Sequence, residues 1–131
     1  MLSVGMKYKE TIKVTEDKLA NAMGSGAVPV FATPMMVLIM EEVSALCVKD
    51  ELEAGQATVG TKLDVSHVSA TPAGLDVTAE CELIEIDKRR LVFKVAAYDN
   101  AGLIGEGTHE RFIIDVEKFM SKTNGKLSSN V

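Results

Sequence analysis

Thr33-Pro34-Met35-Met36-Val37-Leu38-Ile39-Met40-Glu41-Glu42-Val43-Ser44-Ala45-Leu46-Cys47-Val48-Lys49 is the one long helical stretch of this chain, and its reading decides the fold. Thr33 suits the N-cap, and Pro34 suits the first helical position, where a missing N–H costs nothing. The helix is expected to run to Lys49 or Glu51. Apolar residues occupy nearly its whole circumference, which is the pattern of a helix packed on most sides. Two carboxylates interrupt the pattern. Glu42 shares a stripe with Lys49 and Glu53 and leans toward solvent. Glu41 is flanked on its own face by Pro34, Val37, Leu38, Ser44, Ala45 and Val48, so its carboxylate is expected to be desolvated. Such surroundings tune a glutamate for general-base work near neutral pH. The alternative, equally compatible with the pattern, is that both glutamates face solvent.

Outward from this helix the chain reads as strands. On its N-terminal side Met6, Tyr8, Ile12 and Val14 alternate with Lys7, Lys9, Thr11 and Lys13, a half-buried strand. A short helix over about Glu16 to Met23 follows, ended by Gly24-Ser25-Gly26, with a loop through Pro29 to Phe31. On the C-terminal side strands are expected over about Ala57–Ser69, Leu75–Ile86, Leu91–Tyr98 and Leu103–Ile114. In the second of these Leu75, Val77, Ala79, Cys81 and Leu83 share one face. The connections Thr71-Pro72-Ala73-Gly74, Asp87-Lys88-Arg89 and Asp99-Asn100-Ala101-Gly102 are short, so an antiparallel meander is predicted. A short helix over about Asp115–Ser121 closes the domain. One buried helix and about five antiparallel strands fit an α+β arrangement, a curved sheet wrapped round the helix. The open strand edges would be covered by pairing across a two-fold axis.

The 131 residues make one domain, taken as 1–122, with 123–131 a polar tail expected to be disordered. With 47% apolar and 25% charged residues the composition is that of a globular protein. A net charge of −5 argues against nucleic acid as a partner. Cys47 and Cys81 sit in apolar surroundings without metal spacing and read as reduced core thiols. The charged N-terminus carries no signal-peptide pattern, and the apolar run Met35–Met40 is too short to span a bilayer. A cytoplasmic protein with no membrane partner is expected.

Chemistry-bearing motifs are few. His67 lies late in a strand, in Asp64-Val65-Ser66-His67, and His109 lies in Gly107-Thr108-His109-Glu110-Arg111. The two histidines have no ligand spacing, so no metal is expected. No nucleophile elbow, dinucleotide fingerprint or phosphate loop occurs, and no cofactor is indicated. Lys88-Arg89-Arg90 reads as a solvated turn, or as a local phosphate contact for an anionic ligand.

The strings themselves say more. Val30-Phe31-Ala32-Thr33-Pro34-Met35-Met36 ending in Met40-Glu41, Gly60-Thr61, Val65-Ser66-His67, Ala70-Thr71-Pro72-Ala73-Gly74-Leu75 and Gly107-Thr108-His109-Glu110-Arg111 closing on Glu117-Lys118-Phe119 resemble, in order and spacing, the fluoroacetyl-CoA thioesterase-like branch of the hotdog thioesterases. The resemblance covers the chain from its first strand to about Lys122. It implies a hotdog fold, hydrolysis of an acyl-CoA thioester, and a homodimer, with pairing of dimers into tetramers left open. It implies active sites at the dimer interface, with the family's threonine, glutamate and histidine falling on Thr33, Glu41 and His67. Gly60 matches a glycine beside the acyl group, Arg111 an arginine of the closing strand, and Phe31 falls among the substrate-binding positions. The branch has an aromatic, lid-like residue shortly before the helix, where this chain has Ala27 and Val28. That departure points to a short- to medium-chain acyl group rather than the fluorinated one. Two other readings are a non-catalytic acyl-CoA binding or regulatory module and an enoyl-CoA hydratase using Asp64 with His67.

Overall fold

In the computed structural model, which describes residues 1–128, the central helix α2 (Thr33–Lys49) crosses one face of a single antiparallel sheet. The sheet is built from β1 (Lys7–Lys13), β2 (Gln56–His67), β3 (Asp76–Asp87), β4 (Arg90–Asp99) and β5 (Gly102–Asp115). Between β1 and α2 the chain makes a 3-10 turn (Glu16–Lys18) and a single helical turn α1 (Ala20–Met23), closed by Gly24 at φ 84°. The expected continuous helix over Glu16–Met23 is broken at Leu19, whose extended backbone forms a bridge to Phe31.

Alternation predicts β3 well. Val77, Ala79, Cys81 and Leu83 are all buried against α2, which presents Met36, Ile39, Met40, Val43, Ser44 and Val48. Leu91, Phe93, Val95 and Ile104 complete the core. Each Val, Leu, Ile, Met or Phe among them stabilises the fold by about 1.5–3 kcal/mol relative to exposure. The helix differs from its sequence reading in one respect. Only one stripe is buried, while Pro34 and Leu38 stand open and Val37 is partly covered, with Leu38 50% exposed. One sheet covers one side of a helix, so apolar residues on the far side lack a partner among the described residues.

The strand order is β1-β3-β4-β5-β2, not a meander from β2 onward. The turns β3–β4 and β4–β5 are tight as predicted, but β2 pairs with β5 and the link from β2 to β3 crosses the sheet. The crossover is held inside the molecule. Thr71 is fully buried, its hydroxyl donates to Asp99 Oδ2 at 2.7 Å, and its carbonyl accepts the Phe31 N–H at 2.8 Å. Pairing of β1 with β3 leaves β1 and β2 as the two edges.

The closing helix α3 spans Val116–Asn124 and runs into a 3-10 turn at Gly125–Leu127. It is longer than the helix read from the sequence, and it occupies part of the segment 123–131 that was expected to be disordered. Residues 129–131 of that segment lie outside the described residues.

Glycines on β5 let β2 approach. A Cβ at Gly107 would lie 2.6 Å from Val65 Cα, and one at Gly105 would lie 2.7 Å from the Ser66 carbonyl oxygen. At Gly107 backbone alone fills the space a side chain would need, and at Gly105 the Met36 side chain shares it. Gly107→Ala is therefore expected to destabilise the protein by at least about 1–3 kcal/mol, the range for forced overpacking. The measurement is the urea midpoint at unchanged m-value, and an unshifted midpoint would show that β2 is not packed this closely.

Candidate active site

The N-terminus of α2 is tied down from several directions. Ala20 N–H bonds to the Val30 carbonyl (2.7 Å), Ala32 N–H to the Lys18 carbonyl (3.0 Å), and Phe31 N–H to the Thr71 carbonyl (2.8 Å). Ala32, with extended backbone (φ −74°, ψ 137°), is the N-cap, and Thr33 is already the first helical residue with Pro34 behind it. The expected capping role of Thr33 is thus filled by Ala32. Freed from it, the Thr33 hydroxyl hydrogen-bonds His67 Nδ1 at 2.8 Å. Met35 and Met36 turn their N–H groups back on the Ala32 carbonyl, both at 3.0 Å. Pro34 has none, which leaves the Thr33 N–H at the positive end of the helix dipole.

His67 is the last residue of β2. Among the described residues its Nε2 is the only buried side-chain nitrogen or oxygen without a hydrogen-bond partner. A buried orphan of this kind calls for an explanation, and here it marks an imidazole with one nitrogen committed to Thr33 and the other unassigned. Desolvation holds the ring below its ordinary pKa of 6.5, with the nearby Ser69 backbone working the other way.

Glu41 heads a second group. Its Oε2 lies 3.8 Å from Arg111 Nη1, and a Cβ on Gly60 would come within 2.9 Å of the same oxygen. Gly60 thus makes room for this carboxylate. The side chain is 38% exposed, so the full desolvation expected from its neighbours is not reached in one chain. The open side is the one shared with Leu38. Glu42 is exposed as predicted.

The two groups are separate within a chain. Glu41 stands eight residues beyond Thr33 on α2, roughly 12 Å along the helix axis. They nevertheless lie on the same side of the sheet. Gly60 pairs with Arg111, Leu63 with His109 and His67 with Gly105, with a bulge at Thr61 between them. Without that extra residue Gly60 and His67, an odd number of positions apart, would face opposite sides. Asp64, three residues before His67 with no bulge between, faces away from it.

Other sequence candidates fall elsewhere. Phe31, read as a substrate-binding residue, is 1% exposed and belongs to the core, where the strap to Thr71 and Leu19 seats it. In the basic turn both arginines are paired with carboxylates, and Lys88 is exposed. Arg90 pairs with Glu85 and Glu110, both at 2.9 Å, and Arg89 with Asp115 at 3.4 Å. A cleft of about 510 Å³ bordered by Lys7, Lys9, Glu82, Lys94 and Tyr98 contains none of the candidate residues. His109 and Thr58 are the residues that sequence reasoning passed over. Both contact Arg111, and a period-two reading of His109, Arg111 and Ile113 would have put all three on the buried face.

The profile of the fluoroacetyl-CoA-specific thioesterase family, FlK, matches residues 14–117. A fluoroacetyl-CoA thioesterase of Streptantibioticus cattleyicolor is 44% identical over 97 residues, covering 74% of this chain and 70% of that protein. A solved structure of the fluoroacetyl-CoA thioesterase FlK superposes with a TM-score of 0.90 at 36% identity, covering 96% of this chain and 98% of that one. The chain belongs to the FlK thioesterase family. A thioesterase superfamily member from Thermus thermophilus shares the fold alone, with a TM-score of 0.91 at 24% identity over 98% of this chain and 96% of the other. The protein is accordingly a hotdog-fold hydrolase of acyl-CoA thioesters. Among the described residues no helix is long and apolar enough to cross a membrane.

The electrostatics of this FlK-family chain give a pH-dependent stability. His109 is fully buried, and desolvation, assisted by the Arg111 charge, holds it below its ordinary value of 6.5. A depressed histidine pKa means that the unfolded chain binds the proton more readily than the native one. Stability is therefore fully present above about pH 6.5 and falls as the pH drops below it, by up to about 1.4 kcal/mol per pH unit for one such group. Urea unfolding between pH 6.5 and 5 is expected to show this slope, shallower in His109→Gln. An equal slope in both proteins would mean that His109 is not held neutral.

Proposed function

We propose that the chain hydrolyses short- to medium-chain acyl-CoA thioesters at a site completed by a second copy. The observation that carries this reading is the 2.8 Å pair of Thr33 Oγ1 and His67 Nδ1 at the N-terminus of α2. The Thr33 N–H and the dipole end of the helix stabilise the oxyanion that forms on the thioester carbonyl. His67 removes a proton, from water for direct attack or from the Thr33 hydroxyl for a transient acyl-threonine. The products are the free acid and the CoA thiol, which takes up the proton as it leaves.

Glu41 joins from the partner. β2 is an edge strand, and its exposed middle includes Leu63, 38% exposed. Antiparallel pairing of two β2 strands about an axis near Leu63 and Asp64 sets His67 of one copy opposite Gly60 of the other. The partner's Glu41, which stands over Gly60, then approaches the Thr33–His67 pair. The same association covers Leu38. This supports a homodimer with two equivalent sites, and the free thiols Cys47 and Cys81 fit a reducing, cytoplasmic setting.

The preference for a short to medium acyl chain rests on the exposed Ala27 and Val28, which stand before α2 where the fluoroacetyl-specific relatives are expected to carry an aromatic residue. The hydratase alternative loses its support, since Asp64 and His67 face opposite sides of β2.

Thiol release from a panel of acyl-CoAs, acetyl to decanoyl plus fluoroacetyl, tests the reaction. Wild type is expected to turn over, and Glu41→Ala to lose on the order of a hundredfold or more. Binding without turnover in wild type would point instead to a non-catalytic acyl-CoA module. The shared site has its own test. Thr33→Ala and Glu41→Ala chains, each inactive, are unfolded together and refolded. A hybrid dimer keeps one intact site, so the mixture should recover about a quarter of wild-type activity for random pairing. No recovery would return Glu41 to the site of its own chain.

A further inference from the structure

His109 has no part in the reaction just described, yet both of its ring nitrogens are committed. The side chain is fully buried on the inner face of β5, with the Phe93 ring stacked near it at 6.4 Å between centroids. Nδ1 lies 2.8 Å from the Lys62 carbonyl oxygen, and Nε2 lies 3.1 Å from Arg111 Nη1. A carbonyl only accepts, so Nδ1 carries the hydrogen. A guanidinium only donates, so Nε2 is the bare acceptor. The geometry therefore fixes both the charge and the tautomer of this ring, as neutral Nδ1–H.

The partner it fixes is Arg111. Arg111 Nε donates to Thr58 Oγ1 at 2.8 Å, Nη2 to the Thr58 carbonyl at 3.0 Å, and Nη1 to His109. These bonds set the plane of the guanidinium and turn its Nη1 edge toward Glu41 Oε2, 3.8 Å away. A Cβ on Gly60 would lie 3.2 Å from His109 Cε1 and 3.3 Å from Arg111 Nη1, so the three side chains form one packed group over a glycine.

We infer that neutral His109 is the positioning residue for Arg111, and through Arg111 for the Glu41 carboxylate, and that protonation of His109 uncouples them. This rests on the reading of Glu41 as the site carboxylate. Protonation would place an N–H on Nε2 facing the Nη1 N–H, donor against donor and cation against cation in a buried place. The charged groups around the ring act in opposite directions. Arg111 on β5 opposes protonation, while Glu41 on α2 and Glu110 on β5 favour it. β2 contributes the Lys62 carbonyl and β4 the uncharged Phe93 ring. Burial and Arg111 together keep the ring neutral at neutral pH.

The chain has two histidines, so selective 15N-histidine labelling of the full-length protein gives two imidazoles to assign. His109 is expected to show the Nδ1–H tautomer at neutral pH and to titrate below 6.5. In Arg111→Gln its titration should move upward, because a neighbouring cation has gone. A cationic ring, or the Nε2–H tautomer, at neutral pH would overturn the proposal, as would a titration unmoved by Arg111→Gln. These readings hold whether or not thioester turnover is seen, so a failure of the thioesterase reading is told apart from a failure of this one. Turnover supplies the second arm. His109→Phe, which offers no acceptor, should lower kcat by about tenfold or more, the scale of one lost charge-assisted hydrogen bond. His109→Gln restores an acceptor near the Nε2 position and should recover the larger part of that loss, with a shallower acid limb in the kcat profile. In an Arg111→Gln background His109→Phe should have little further effect. Effects that simply multiply would show that His109 does not act through Arg111.

Discussion

A single curved sheet covers one side of a helix, and α2 is apolar on more than that side. Met36, Ile39, Met40 and Val43 are enclosed, while Leu38 is half open and Pro34 is exposed. Covering the remaining surface is favourable by about 25 cal/mol per Å² of apolar area, and no other element among the described residues is in place to do it. β2, at the sheet edge next to this open side, has unpaired backbone groups along much of its length. Both deficits sit on the same flank. One self-complementary contact about a two-fold axis, as proposed above, would remove them together, and Thr33, His67 and Glu41 lie along the same boundary.

That boundary also explains how a charged cluster is tolerated beside a core. Arg111 is 7% exposed, and breaking such a buried ionic group by removing one partner costs about 3–5 kcal/mol. Its donors are matched by Thr58 and His109, and its charge faces Glu41. Among the described residues Glu41 in turn pairs only with Arg111, and it keeps its free side toward the open flank. The carboxylate is anchored from below and open from above.

Much of the fold was legible because it is written in local periodicity. The period-two pattern from Val77 to Leu83 and the length of α2 follow from residues near one another in the chain. The position of β2 was not legible. Strand pairing depends on which edges remain free after β1 takes its place beside β3, and no local pattern encodes that choice. Thr71 and Asp99, whose hydrogen bond holds the crossover, are far apart in sequence and each reads as an ordinary turn residue. Thr33 was singled out from the sequence, yet its capping role was misassigned, since Ala32 is the N-cap and the Thr33 hydroxyl bonds His67. The hydroxyl had two possible partners, and the strap through Phe31 and Ala32 decided between them. His109 was passed over because a lone strand histidine says nothing until its neighbours across the sheet are known.

The bulge at Thr61 shows how one irregular residue can bring two others to the same face of a strand. Along β5, Gly105, Gly107, His109 and Arg111 face the helix at regular spacing of two. β2 has to place His67 and Gly60 opposite the two ends of that row, and the interval between them is odd. A regular strand would present one and hide the other. The extra residue absorbs the mismatch, and the Thr61 hydroxyl donates to the Glu110 carbonyl at 3.2 Å across the irregularity. The geometry of β2 thereby answers to two constraints at once. His67 has to meet Thr33 at one end of α2, and Gly60 has to leave space for Glu41 farther along it. Strict alternation satisfies either one, and the bulge satisfies both.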